Sequence, residues 1–254
     1  MTIVEQKNLA PRIFEMTLKG DLTQDMKTPG QFVHIRVPSN DLLLRRPISL
    51  AKIDKDNGTC TIIYRVEGEG TEIFSHMKVG DTLDVMGPLG NGFDIHGLND
   101  NDTAFVIGGG IGTPPMYELA RQLVENGVKV INLIGFASKE VLFYQEEFKA
   151  LGETRFSTDD GSFGLHGHVG TLIDEALVEY GVPSAVYACG ADGLLRAVDT
   201  KFETHERAYI SMEERMACGM GACYACVVPL RENENLSLKI CDEGPIFPTG
   251  KVVI

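Results

Sequence analysis

Four of the chain's six cysteines lie in CGMGACYACVVPLRENENLSLKIC, Cys218 to Cys241, three of them within nine residues. Cys218, Cys223, Cys226 and Cys241 follow C-x4-C-x2-C-x14-C, the ligand spacing of a plant-type [2Fe-2S] site. Two irons bridged by sulfides need four thiolates wrapped closely around them. Ala217, Gly219, Gly221, Ala222 and Ala225 are small enough to let backbone approach and aim amides at sulfur. A zinc site with four cysteine ligands also favours close cysteine pairs. Zinc knuckles usually pair two C-x2-C hooks, whereas three ligands here share one loop and the fourth is distant. Met216, Met220 and Tyr224, beside the ligands, are expected to shield the metal group from water.

The remaining sequence must fold around that unit. A chain of 254 residues with 43% hydrophobic residues can bury a sizeable core and usually forms one or two domains. Its net charge of -13 argues against nucleic acid as a partner, since phosphate affinity rests on lysine and arginine displacing counterions. No run approaches the roughly 20 apolar residues of a membrane span, and the opening MTIVEQKNLAPRIFEMTLKG interleaves charges with apolar residues. A cytoplasmic location is expected, without membrane attachment. Clustered cysteines stay reduced there, which favours metal or redox chemistry over disulfides.

Three compositional regions follow one another. Over 1–98, short alternating runs such as QFVHIRV, TCTIIYRV and DTLDVMG are separated by turn residues, which predicts an antiparallel sheet or barrel. Over 99–212 the pattern becomes strand TAFVIGG, helix PPMYELARQLVENG, strand VKVINLIGFA and helix KEVLFYQEEFKAL. HVGTLIDEALVEYG, SAVYACG, DGLLRAVDTKFETHE and RAYISME continue the alternation. This predicts an α/β domain built on a parallel sheet covered on both faces. Residues 213–254 form the short cysteine-rich unit, and NGFDIHGLNDND reads as a linker.

Within these regions lie candidate binding motifs. In AFVIGGGIGTPPM a strand runs into Gly108, Gly109, Gly110 and Gly112, and Pro114 suits the first turn of a helix, which places amides where a phosphate can sit. Thr113 occupies the last position of G-x-G-x-x-G and no acidic residue closes the next strand, so the standard dinucleotide fingerprint is incomplete. A tight turn without a ligand is the bland alternative. In LLLRRPISL, Arg45 and Arg46 suit a pyrophosphate, Pro47 stiffens the backbone and Ser49 suits a flavin ring edge; the alternative is an edge strand with solvated arginines. EGEGT puts Gly70 and Thr71 at a helix start, with Thr71 as N-cap and a second phosphate position. Cys60 reads as a strand residue, and His166 and His168 read as polar surface.

Together RRPIS, EGEGT, GGGIGTPP, the strand end ACG and CGMGACYAC resemble the ferredoxin reductase family. With its C-terminal cluster motif, nearly the whole chain resembles the electron-transfer subunits of class 1B dihydroorotate dehydrogenases. The resemblance implies an FAD-binding β-barrel, an NAD-binding α/β domain and a [2Fe-2S] domain. It implies that Arg46, Pro47, Ile48, Ser49, Ile63, Tyr64, Arg65, Gly70 and Thr71 contact FAD. By it, Gly109, Gly110, Gly112 and Thr113 face NAD(H), the substrate, and Cys189 matches a cysteine held near the nicotinamide; Cys189 equally suits plain strand-end packing. Ile48 stands where many reductases stack an aromatic on the flavin, and the C-terminal aromatic is missing, so the ring must be covered differently.

The implied partner is an FMN-containing dihydroorotate dehydrogenase catalytic subunit of pyrimidine (UMP) biosynthesis, with two copies of each subunit in a heterotetramer. The orotate chemistry then lies on that partner, and no catalytic acid or base is expected in this chain. Two other functions fit the same residues: the flavin and [2Fe-2S] subunit of an NADPH-linked ferredoxin or sulfide reductase complex, and a non-enzymatic zinc or iron-sulfur interaction module.

Overall fold

A computed structural model describes residues 1–254. The first region contains β1 (Thr2–Ala10), β2 (Ile13–Lys19), β3 (Phe32–Ile35), β4 (Arg46–Asp54), β5 (Thr59–Arg65), α1 (Glu69–His76) and β6 (Val85–Leu89). The strands form one antiparallel sheet in the order β1-β2-β5-β4-β3-β6. It curls toward closure where the chain ahead of β6 returns to β1: Thr2 bridges Thr82, and the Leu83 amide donates to the Met1 carbonyl at 2.8 Å. Period-two alternation sorts β5 between two cores. Cys60, Ile62 and Tyr64 point into the barrel with Ile3, Met16 and Val33, whereas Ile63 points out to the core shared with the next domain.

The second region is α/β, with β7 (Thr103–Gly109), α2 (Thr113–Glu125), β8 (Lys129–Phe136), α3 (Gln145–Lys149), β9 (Glu153–Thr158), β10 (Leu165–His166), α4 (Val169–Tyr180), β11 (Ala185–Cys189), α5 (Asp192–Lys201) and β12 (Ala208–Ser211). The strand order is β10-β9-β8-β7-β11-β12, all parallel. From β7 the chain first winds through β8 and β9 to one edge, then crosses to β11 and β12 on the other side. The junction of β7 and β11 is therefore a topological switch point, where open α/β sheets leave a crevice at their carboxyl ends.

The helix expected over KEVLFYQEEFKAL is broken. A 3-10 turn at Lys139–Val141 and the short α3 flank Tyr144, which has φ 60. Burial overrides helix propensity here: Phe143, Tyr144 and Phe148 are buried, and the Tyr144 hydroxyl donates to the buried carboxylate of Glu15 on β2. That contact pins the α/β domain to the barrel. The linker NGFDIHGLNDND is packed rather than loose, since Phe93 is buried with its ring 5.5 Å edge-on from Tyr187.

The third region contributes the hairpin β13 (Val227–Leu230) and β14 (Asn233–Lys239), then β15 (Ile246–Pro248). β15 pairs antiparallel with β12 and becomes the seventh strand of the α/β sheet. Cys226, Val228, Ile240 and Cys241 share one core with Ile107, Leu133 and Ile210 of that sheet. Arg231, beside the hairpin turn, pairs with Asp199 and, at 2.8 Å, with Glu203, which ties the hairpin to the end of α5.

Candidate cofactor sites and electron route

The hairpin explains the wide cysteine spacing. Cys226 precedes β13 and Cys241 follows β14, so pairing brings both to its open end, where the Ile240 amide donates to the Cys226 carbonyl at 2.8 Å. Cys218 and Cys223 lie on the loop in front, bent by positive φ at Gly219, Gly221 and Tyr224. The Met220 amide donates to Cys218 Sγ at 3.4 Å and the Gly221 amide to Cys241 Sγ at 3.2 Å. The Met220 hydrogen bond, with help from Cys223 and against desolvation, holds the Cys218 thiol down at about 6. Burial and then the neighbouring Cys226 push Cys241 up to about 11, opposed by the Gly221 amide. No group of three or more His, Cys, Asp or Glu side chains is gathered in the manner of a single-ion site. Sulfur ligands met by backbone amides fit an iron-sulfur group, whose sulfurs accept such hydrogen bonds.

Two of the flanking residues do not shield this loop. Met216 is buried, but Met220 and Tyr224 are 64% and 65% exposed, with the Lys239 ammonium 5.2 Å from the centre of the Tyr224 ring.

β4, which begins at Arg46, is an internal strand between β5 and β3, which overturns the edge-strand alternative. Arg45 is committed to structure: its fork meets both carboxylate oxygens of Asp84 at 3.0 Å and the His34 carbonyl at 3.2 Å. Arg46 lies against the first turn of α1, where a Cβ on Gly70 would stand 2.7 Å from its Nε. Thr71 is not the N-cap. Gly68 holds that position, and Thr71 at N3 accepts from the Glu67 and Gly68 amides at 3.0 and 3.3 Å. Glycine lacks a capping side chain, and the threonine hydroxyl reaches back to supply one.

Arg46 and Ser49 are half-buried and Pro47 and Arg65 are exposed, so these four form an open rim. Ile48, Ile63 and Tyr64 are buried below it: Ile48 packs in the barrel core and Ile63 against the α/β domain. Ile48 and Ile63 therefore offer a ligand their backbone. Tyr64 stacks on Phe14 and meets Phe74 edge-on, and burial raises its phenol. Its hydroxyl, inside the barrel, has no hydrogen-bond partner. An arginine side chain set beside an amide-rich helix start fits the pyrophosphate of a flavin dinucleotide.

At the switch point Gly108 and Cys189 are register partners at the carboxyl ends of β7 and β11. A Cβ on Gly112 would stand 2.6 Å from the backbone of Cys189 and Gly190, so only glycine lets these turns touch. Gly112 and Thr113 are buried under the crevice, Thr113 with an unpartnered Oγ1, while Gly109 and Gly110 are half-buried on its surface. Burial pushes the Cys189 thiol up to about 12.

Two residues not singled out from the sequence belong here. Glu213 follows β12 at the crevice, where partial desolvation and then the carboxylates of Glu67 and Asp192 raise its own, against the nearby Arg65. The same carboxylate disfavours ionisation of the Cys189 thiol. His34, on β3, is fully buried and neither ring nitrogen makes a well-formed hydrogen bond; burial disfavours its charged form, opposed by the Arg45 backbone and aided by the Arg45 and Arg46 charges. A histidine on the face of QFVHIRV opposite the barrel-core residues Val33, Ile35 and Val37, yet fully buried, is the signal that points to it. His166 is exposed and His168 pairs with Asp159 at 3.0 Å on the surface, while Cys60 is buried in β5.

Comparison with known proteins matches residues 2–93 to the oxidoreductase FAD-binding domain and residues 213–253 to the iron-sulfur cluster binding domain of dihydroorotate dehydrogenase B. The chain is 61% identical to a protein of Enterococcus faecalis named dihydroorotate dehydrogenase B (NAD(+)), electron transfer subunit, over 100% of this chain and 97% of that protein. It belongs to this family. Proteins of the same name from Streptococcus thermophilus and Geobacillus kaustophilus are 52% and 49% identical, each over 100% of this chain and 98% of the relative. Among solved structures, the NADH-dependent reduced ferredoxin-NADP oxidoreductase of flavin-based electron bifurcation superposes with a TM-score of 0.87 at 26% identity, covering 99% of this chain and 89% of its own. A cytochrome P450 reductase of Amycolatopsis shares the fold at TM-score 0.68 over 82% of this chain and 67% of its own. Membership in the dihydroorotate dehydrogenase B family replaces the zinc and ferredoxin-complex alternatives with electron transfer through FAD and iron-sulfur domains. No helix is long and apolar enough to cross a membrane.

Proposed function

We propose that this chain carries electrons between NADH and the FMN-containing catalytic subunit of a dihydroorotate dehydrogenase in pyrimidine (UMP) biosynthesis. One observation carries the reading beyond family membership: β3, the neighbour of the RRPIS strand, abuts the cysteine loop. A Cβ on Gly219 would lie 2.5 Å from His34 Nδ1 and 2.9 Å from the Met86 side chain. The candidate flavin rim and cysteine cage are thus joined through a single barrel strand.

When bound, FAD and a [2Fe-2S] cluster convert two-electron hydride chemistry into single-electron transfer. The chain's residues hold and orient these groups. Arg46 neutralises a pyrophosphate beside the first turn of α1, where Gly70 lets the backbone approach and Thr71 fixes the turn. Pro47 and the backbone of Ile48 set the path of β4, so that Ser49 with Ile63, Tyr64 and Arg65 lines the ring position. Gly109 and Gly110 face a pyridine nucleotide across the cleft, with Gly112 and Thr113 supporting them and Cys189 closing the switch point. Cys218, Cys223, Cys226 and Cys241 ligate the cluster.

Functionally, 1–98 is the FAD unit, 99–212 the NAD unit and 213–254 the [2Fe-2S] unit, with β15 anchoring the last to the second. Exposed Met220 and Tyr224, next to Cys223, supply apolar surface for the catalytic subunit, as an interface core requires. Two copies of each subunit form the assembly, and it works in the cytoplasm, where its thiols stay reduced.

Cys223→Ser tests the route. The variant is expected to lose the cluster and electron delivery to the catalytic subunit while keeping FAD and NADH-dependent dye reduction. Delivery at the native rate would contradict it.

A further inference from the structure

We infer that His34 is a positioning residue for the iron-sulfur group: from the barrel side, it donates a hydrogen bond from Nδ1 to one of that group's sulfurs. The inference rests on the cluster assignment above and assigns a role to a residue outside the cysteine motif. His34 has no solvent exposure, and neither Nδ1 nor Nε2 meets a hydrogen-bond partner. A neutral imidazole has one N–H to donate, and burying a donor without a partner costs about 1–3 kcal/mol. Val33 and Ile35 on either side of it fill the barrel core, so His34 points out of the barrel toward the cysteine loop, where its deficit calls for an acceptor.

The orientation of the ring indicates where the acceptor lies. Of its atoms, Nδ1 comes closest to the Gly219 Cβ position, at 2.5 Å, followed by Cε1 at 3.3 Å, so Nδ1 faces the loop between Cys218 and Cys223. Gly219 has φ 71, so the loop presents its backbone to the ring with no side chain between. The other side of the loop already supplies donors, from Met220 to Cys218 and from Gly221 to Cys241. The barrel side supplies none but His34. Its position is fixed by the β3 pairings with Pro47 and Met86 and by Arg45, whose Nη1 donates to the His34 carbonyl at 3.2 Å. Donors to cluster sulfurs favour the more negatively charged reduced form, so this bond raises the reduction potential.

The holoprotein with ring-15N histidine, reduced and examined by pulsed EPR, gives the direct test. A 15N coupling to the cluster is expected and is lost in His34→Gln at unchanged iron and FAD content. In a redox titration, His34→Leu is expected to shift the cluster midpoint to a more negative value, and His34→Gln, which keeps a donor, by less. Full iron and FAD with no 15N coupling in the wild type would overturn the inference while leaving the cluster assignment intact. An unchanged midpoint in His34→Leu would do the same. A wild-type protein that takes up no iron-sulfur group would overturn the cluster assignment, and this inference with it.

Discussion

At the residue scale, cysteine chemistry separates by environment. Four thiols meet amides or one another at the mouth of a hairpin, while Cys60 and Cys189 are pushed up to about 12 by burial. The thiolate is the nucleophile, so a raised pKa silences a cysteine at ordinary pH. In the folded holoprotein, iodoacetamide at pH 8 should leave Cys60 and Cys189 unmodified, and peptide mapping reads this directly. Rapid labelling of Cys189 would show a reactive thiol at the cleft instead. The cysteine spacing is legible in the sequence because the ligands of one inorganic group must converge. His34 is legible only in part, since alternation marks that it faces away from the barrel core but not the loop that buries it. Thr71 illustrates a different limit: glycine at the cap moved the capping role two residues downstream of Glu69, onto a side chain that reaches back.

At the element scale, strands with clean alternation and helices with strong periodicity form where the pattern places them, as in β5, β7, α2 and α4. The segment KEVLFYQEEFKAL departs because its aromatics are claimed by long-range burial, and local propensity carries no record of the partner. Glu15 is that partner. It is 5% exposed, accepts from the Tyr144 hydroxyl and lies 3.4 Å from the Lys7 ammonium and 3.7 Å from that of Lys52. Tyr144→Phe withdraws one donor from a buried carboxylate and should destabilise the protein by about 1–3 kcal/mol, read as a lower urea midpoint. An unchanged midpoint would mean that the contact does not join the barrel to the α/β domain. β15 was likewise hidden from a local reading: IFP is too short to announce a strand, and it exists because β12 offers an open edge.

At the scale of the whole molecule, the three regions share cores. One core runs from the cysteine hairpin through the α/β sheet to Phe32 of the barrel, and a second joins Ile13, Ala51 and Ile63 to α2 and α3. Asn91 seals the junction, its side-chain amide donating to the carbonyls of Asp242 and Glu243 at 3.2 and 3.0 Å. Electron transfer benefits from such rigidity, because fixed cores fix the separation of the groups they carry. The relay from NADH to the cysteine loop is visible in the absorbance of its cofactors, so an anaerobic visible spectrum of the pure protein, with iron, zinc and flavin assays and an NADH titration, is the experiment to make. Flavin and iron-sulfur absorbance that bleaches on NADH addition is the predicted result. A colourless, zinc-containing protein that stays unresponsive after FAD and iron-sulfur reconstitution would contradict it.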